Sequence, residues 1–165
     1  MAERINKIAV IGAGSVGATL AYACMIRGVG RQIVLYDLNR QKVEAEVLDL
    51  NHGLQFAPMA SIDGSDDLNI CSDADVVVVT AGAKQKPGQT RMDLAAANAQ
   101  ICRTLIPALV KVAPRCILLM VTNPVDVVTY VAMKLSGLPS KTFKLSVFPE
   151  VLFGIGFAKP KGVNG

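Results

Sequence analysis

A glycine-rich turn, Gly12-Ala13-Gly14-Ser15-Val16-Gly17, directly follows the apolar run at residues 8–11. A GxGxxG turn between a strand and a helix suits a diphosphate, because Gly12 permits a tight turn, Gly14 lets the ligand approach the backbone and Gly17 allows close packing. The backbone amides of the first helical turn, at Ser15, Val16 and Gly17, are free to donate hydrogen bonds to an anion. Alone, the motif is weak evidence, so its meaning depends on its surroundings.

Asp37 stands about 20 residues further on, at the end of the second apolar run, residues 33–36. A carboxylate there accepts hydrogen bonds from the hydroxyls of an adenine ribose and repels a 2′-phosphate, so NAD is favoured over NADP. The nearby Arg40 weakens this preference slightly. The alternative is that the glycines only make a turn and Asp37 is an ordinary polar residue. The coincidence of motif, order and spacing favours a dinucleotide.

Short apolar runs alternate with segments of helical spacing along the chain. The expected strands are residues 8–11, 33–36, 76–79 and 117–121, with a weaker one at 59–63. The expected helices are residues 16–28, 40–53, 91–112 and 125–137, with Gly28, Gly53 and Gly137 as stops and Asn39 as a cap. This order predicts an α/β fold, a doubly wound (Rossmann) parallel sheet with helices on both faces.

Polar or small residues follow each main strand of the predicted sheet. Those beyond the glycine turn are Asp37, Thr80, Ala81, Gly82, Thr122 and Asn123. Because the carboxyl ends of parallel strands share one edge, these residues are expected to border a single crevice. The loop after Gly82, with Lys84, Gln85 and Arg91, could fold over a ligand or be a solvated surface loop.

Composition excludes several classes of function. The 165 residues carry a net charge of +4 with no local cluster of Lys and Arg, which argues against nucleic acid as a partner. Four cysteines without a CxxC pair and a single histidine argue against a metal site. No run of 18 apolar residues and no signal segment occurs, so we expect no membrane partner and a cytoplasmic location.

Four blocks resemble the lactate and malate dehydrogenase family, and within it the bacterial L-lactate dehydrogenases: IAVIGAGSVGATLAYACMIRG, EVLDLNHG, VVVVTAGAKQKPGQTRMDL and VTNPVDVVTYVAMKLSGLP. The likeness covers about residues 5–143. It implies an oxidoreductase with NAD as cofactor that interconverts (S)-lactate and pyruvate by hydride transfer, as in glycolysis and pyruvate fermentation. It also implies a homo-oligomer, which is a tetramer in the family.

The resemblance implies a role for individual residues. Those expected to bind the cofactor are Gly12, Gly14, Ser15, Val16, Gly17, Asp37, Thr80, Ala81, Gly82, Lys84, Asn98, Thr122 and Asn123. Gln85, Arg91 and Asn123 are expected to bind substrate, and Arg91 is catalytic because it polarises the substrate carbonyl. Gln85 stands where malate dehydrogenases carry arginine, and a neutral amide there suits the methyl group of pyruvate or lactate.

The likeness ends near Phe143. We therefore expect an NAD-binding domain over residues 1–143 and a divergent tail over residues 144–165, without the substrate and catalytic domain of the family. The single histidine, His52, ends the second helix and is expected at the amino edge of the sheet, in a structural role. Three interpretations stay open: the NAD-binding half of an L-lactate dehydrogenase, a non-catalytic NAD-binding module or truncated gene product, and, less favoured, a malate dehydrogenase.

Overall fold

A computed structural model of the chain describes residues 7–58, 60–85, 87–139 and 142–145. These ranges contain six strands: β1 Lys7–Ile11, β2 Gln32–Tyr36, β3 Ser61–Ser65, β4 Val76–Val79, β5 Ile117–Met120 and β6 Phe143–Leu145. The strands form one sheet in the order β3-β2-β1-β4-β5-β6, and every pairing in it is parallel. The sheet order changes direction at β1, which lies between β2 and β4.

Four helices connect these strands: α1 Ser15–Arg27, α2 Arg40–Gly53, α3 Arg91–Val112 and α4 Val125–Ser136. Their ends follow the sequence signals. The Asn39 side chain accepts a hydrogen bond from the backbone N–H of Lys42, and Gly28 and Gly137 adopt the left-handed conformation after α1 and α4.

The apolar residues of the strands alternate between two cores. Val10 and Leu35 pack with α1 and α2 on one face, whereas Ile11 and Val79 pack with α3 and α4 on the other. Because both faces are covered, the strands are apolar on both sides, which is why they read as continuous runs in the sequence. The predicted doubly wound α/β fold is confirmed.

Several boundaries differ from the prediction by one or two residues, among them the following three. Gly53 has a right-handed φ of −80°, and the chain continues into a 3-10 helix, Leu54–Phe56, so Gly53 does not stop the helix in the expected way. The weak strand predicted at 59–63 is β3, two residues later, because Ser61 pairs with Gln32. The run predicted to end at 121 ends at Met120.

β6 was not expected at all. It pairs with β5 through Phe143 and Leu118 and crosses the predicted boundary between residues 143 and 144. A three-residue edge strand is too short to show a periodic pattern, so the sequence carries no signal for it. Residues 146–165, most of the predicted tail, lie outside the described residues.

The four cysteines are buried and free. Burial raises the pKa of Cys24 to about 11 and that of Cys71 to about 12, so these thiols stay protonated at neutral pH. In the part of the chain with described structure, no helix is long and apolar enough to cross a membrane. Over the same residues, no group of three or more His, Cys, Asp and Glu side chains could hold a metal ion.

Candidate functional site

A cleft of about 660 Å³ opens at the carboxyl ends of β1, β2 and β4, where the strand order changes direction. Open α/β sheets bind ligands at this point, because the loops leave the sheet on opposite sides. The residues that line the cleft are Ile11, Gly12, Gly14, Tyr36, Asp37, Leu38, Lys42, Leu68, Thr80, Ala81, Gly82, Lys84, Gln100, Ile101, Thr104, Leu105 and Ala108.

The glycine turn forms one wall of the cleft, and glycine is required at each of its three positions for a different reason. Gly12 has a φ of +102°, and a Cβ there would lie 2.8 Å from the backbone N of Ala81. A Cβ at Gly17 would collide with the carbonyl oxygen of Gly12. At Gly14 the nearest atom to an added Cβ is Nζ of Lys42, at 3.8 Å, so this position leaves space for a ligand.

The start of α1 faces this turn without a side-chain cap. Gly14 is the N-cap residue, and the first turn contains no acidic side chain. The amides of Ser15, Val16 and Gly17 are therefore available to an anion, and the positive end of the helix dipole favours one. Lys42 brings a further positive charge near Gly14. This donor set fits the diphosphate of a dinucleotide.

Asp37 is held rigidly beside the turn. Its Oδ2 accepts a hydrogen bond from the Ala13 N–H at 2.8 Å, and its Oδ1 accepts one from the Asn39 N–H at 3.0 Å. Each carboxylate oxygen has more than one lone pair, so both can still accept hydrogen bonds from sugar hydroxyls. The half-buried carboxylate is thus positioned before any ligand arrives.

Tyr36 lines the cleft directly before Asp37. Burial raises the pKa of its hydroxyl, and the Cys71 thiol and the carboxylates of Asp37, Asp66 and Asp67 raise it further. These three carboxylates give the β2 and β3 end of the cleft a negative field, which suits a neutral ribose better than a ribose phosphate.

The loop after β4 forms the opposite wall. Thr80 Oγ1 lies 3.0 Å from the Ile11 carbonyl oxygen and 3.1 Å from that of Gly12, so its hydroxyl ties this loop to the glycine turn. Thr122 Oγ1 donates to the Ala81 carbonyl oxygen at 2.7 Å. A Cβ at Gly82 would collide with the methyl group of Thr122. The residue type at Gly82 is therefore set by packing.

Asn98 and Thr122 lie behind this wall. Asn98 is 1% exposed, and its Oδ1 accepts from the Ala83 N–H at 2.7 Å while its Nδ2 donates to the Asn123 carbonyl oxygen at 2.6 Å. Both functional groups of the amide thus bind backbone and join two loops. Asn98 and Thr122 support the cleft, and a direct contact of either with a cofactor stays a prediction.

The residues predicted to bind substrate lie away from the cleft lining. Gln85 is exposed, and its Nε2 donates to the Gln89 carbonyl oxygen within the same loop at 2.9 Å. Arg91 is the exposed first residue of α3, and the Asn123 side chain is also exposed. Lys84, from the same loop as Gln85, does line the cleft.

His52 lies where the sequence predicts it. It is exposed near the carboxyl end of α2, and the preceding Asn51 donates from Nδ2 to the Ile62 carbonyl oxygen at the start of β3. That contact places His52 at the amino edge of the sheet, opposite the cleft.

Sequence reasoning missed several residues of the cleft. Five of them form a stripe on α3: Gln100, Ile101, Thr104, Leu105 and Ala108. Their spacing follows one helical face, so periodicity could have identified them had α3 been placed beside the crevice. Lys42, Leu38 and Leu68 carry no comparable signal, because only the tertiary structure brings them to the cleft.

The glycine turn, the acid after the second strand and the cleft at the switch point define a dinucleotide-binding domain of the doubly wound class. The family model described as lactate/malate dehydrogenase, NAD binding domain, matches residues 6–143. The chain belongs to this family, and the cofactor of the matched domain is NAD.

Related proteins agree with this assignment. An L-lactate dehydrogenase of Bifidobacterium animalis subsp. lactis is 58% identical over 135 residues, 82% of this chain and 42% of the relative. One from a Synechococcus strain is 49% identical over 134 residues, 81% of this chain and 44% of the relative. The chain therefore spans less than half the length of these curated relatives.

Solved structures give the same match. A lactate dehydrogenase from a Medee basin deep-sea metagenome library has a TM-score of 0.77 and 44% identity, covering 83% of this chain and 44% of that one. A malate dehydrogenase of Cryptosporidium parvum has a TM-score of 0.80 and 31% identity, covering 86% and 45%. The backbone is thus shared by both branches of the family.

Proposed function

We propose that this chain supplies the NAD-binding half of an L-lactate dehydrogenase, which interconverts (S)-lactate and pyruvate. The observation that carries the proposal is the Asp37 carboxylate, held against the glycine turn in a cleft whose donors suit a diphosphate. The chain is 58% and 49% identical to the two L-lactate dehydrogenases described above, which supports the choice of this branch of the family.

Different residues of the cleft would bind different parts of the cofactor. The amides of the first turn of α1 and Lys42 would hold the diphosphate, and Asp37 would hold the adenine ribose. The apolar side chains of Leu38 and Leu68, with the stripe on α3, would cover the adenine. When bound, NAD supplies the group that accepts or returns a hydride.

On the substrate side, we assign the carbonyl-polarising cation to Arg91, because a guanidinium stabilises charge that develops on a carbonyl oxygen. Gln85 and Asn123 complete the substrate contacts. A neutral Gln85 leaves a second carboxylate without a partner, which favours pyruvate and lactate over the dicarboxylate of a malate dehydrogenase. The proton that leaves the lactate hydroxyl is not taken by His52, which lies at the opposite edge of the sheet.

A second candidate function is an NAD-binding module without catalytic activity, since among the described residues the only histidine, His52, lies at the edge of the sheet opposite the cleft. General acid–base catalysis contributes about 10²–10⁴-fold, so a polypeptide of these 165 residues is expected to turn over pyruvate poorly. The buried free cysteines support a reducing, cytoplasmic compartment. Homo-oligomerisation, as implied by the family resemblance, is part of the proposal.

Titration with NADH, followed by nicotinamide fluorescence, tests the proposed cofactor site. We expect saturable binding of NADH and weaker binding of NADPH. No binding of NADH, or equal affinity for both, would overturn the assignment. Oxidation of NADH with pyruvate tests the second candidate: turnover of about 10 per second, an ordinary enzyme rate, would exclude the non-catalytic module.

A further inference from the structure

The rim of the cleft near Asp37 carries an arginine whose role the proposed function leaves open. Arg40 is the first residue of α2, just beyond Asp37 and Leu38, which line the cleft. A guanidinium near the end of the second strand is the group that accommodates the 2′-phosphate of NADP in folds of this class. By residue type alone, Arg40 would therefore oppose the preference that Asp37 sets.

The structure shows where that guanidinium is engaged. Its Nε donates to Glu44 Oε1 at 2.8 Å, one turn further along α2. The hydrogen bond and charge of Glu44, and then the charge of Asp66, raise the pKa of Arg40. Lys42, the other cation at this end of α2, reaches toward Gly14 instead. Arg40 is thus bonded to the Glu44 carboxylate along α2 and also feels the charge of Asp66.

Asp37 cannot turn away from this rim without losing its hydrogen bonds to two backbone amides. A 2′-phosphate would therefore meet a fixed carboxylate and an arginine that is already paired. Each effect acts on the phosphate alone, because a ribose hydroxyl carries no charge.

We propose that Glu44 is a specificity-determining positioning residue, which keeps the Arg40 guanidinium on α2 and so withholds it from the 2′-phosphate of NADP. This inference rests on the proposed binding of NAD. Discrimination then has two parts: Asp37 repels the phosphate, and Glu44 removes the cation that would compensate for the repulsion.

The test measures dissociation constants of NADH and NADPH for the full chain by fluorescence titration. It uses an Asp37→Asn background, which removes the carboxylate charge that repels the 2′-phosphate. There, Glu44→Gln should strengthen NADPH binding about two- to threefold, a modest gain because an exposed ion pair is weak. The affinity for NADH should not change, and adding Arg40→Ala should cancel the gain.

Glu46→Gln is the matched control, since it removes the same charge from the same helix without touching the bond to Arg40. Equal gains for Glu44→Gln and Glu46→Gln, or a gain that survives Arg40→Ala, would overturn the inference. Should Asp37→Asn unfold the chain, the same variants in the unsubstituted background at low salt must show the same order. If the unsubstituted chain does not bind NADH, the proposed function is wrong, and this inference is wrong with it.

Discussion

The two halves of the carboxyl edge differ in how they are held. On the cofactor side, the glycine turn, Asp37 and Thr80 are joined by hydrogen bonds that span distant parts of the sequence. On the proposed substrate side, most of the described residues between Ala83 and Thr90 are exposed, and the Gln85 side chain donates a hydrogen bond within this loop. The cofactor half is preformed, whereas Gln85, Arg91 and Asn123 are not among the residues that line the cleft.

If Gln85 and Arg91 bind substrate as we propose, this difference predicts that cofactor binding and substrate binding are separable. A preformed site needs little reorganisation on binding, so its residues should control affinity directly. An exposed loop that carries functional residues is typical of a segment that moves over a ligand. The contrast can be tested by substitutions on each side.

The largest effect is expected from Gly17→Ala. A Cβ at this position would overlap the Gly12 carbonyl oxygen, so the turn must shift, at a cost of about 2–3 kcal/mol in the free energy of unfolding. Urea denaturation measures this cost, and NADH binding should be lost. Gly14→Ala is the control: it has space in the protein, so stability should hold while NADH affinity falls. Equal destabilisation by both would contradict the distinct roles of the two glycines.

Asp37→Asn is expected to weaken NADH binding on the order of tenfold, because a hydrogen bond to a charged acceptor contributes about 1.5–3 kcal/mol. NADPH should lose less or gain, since the repulsion of its 2′-phosphate disappears. Parallel fluorescence titrations with both nucleotides give the ratio of dissociation constants. A ratio that stays at its unsubstituted value would mean that Asp37 does not face the ribose.

Asn98→Ala tests the support behind the cleft wall. Truncation leaves the Ala83 N–H and the Asn123 carbonyl without their partner, so the free energy of unfolding should fall by about 1–3 kcal/mol. Thermal unfolding measures the change. Asn123→Ala, which keeps the carbonyl and removes only an exposed side chain, is the control. Similar losses for both would show that the buried bridge is unimportant.

The smallest effect is expected from Arg91→Ala. Arg91 is exposed, so stability should change by less than about 0.5 kcal/mol and NADH affinity by less than about twofold. Any dependence of NADH fluorescence on added pyruvate should disappear. A tenfold loss of NADH affinity would show instead that the loop takes part in cofactor binding, and the two halves of the edge would not be separable.

Much of the fold follows from short-range pattern. The strands β1, β2, β4 and β5 are continuous apolar runs, and Gly28 and Gly137 end helices as their lack of a side chain allows. β3 lies two residues later than predicted, because its position depends on pairing with β2, which is distant in the sequence. β6 had no local signal, since it is three residues long and pairs, among the described strands, with β5 alone.

For the site, the sequence by itself determined the glycine turn, Asp37 and the grouping of strand ends at one edge, because these depend on residue type and spacing. Only the tertiary structure decided which side chains face the cleft. In the folded chain, the buried Asn98 side chain binds backbone, Lys42 and the α3 stripe line the cleft, and Arg40 pairs with Glu44. The physical reason is that spacing along one element defines a face, whereas the partner of that face is set by packing between elements distant in sequence.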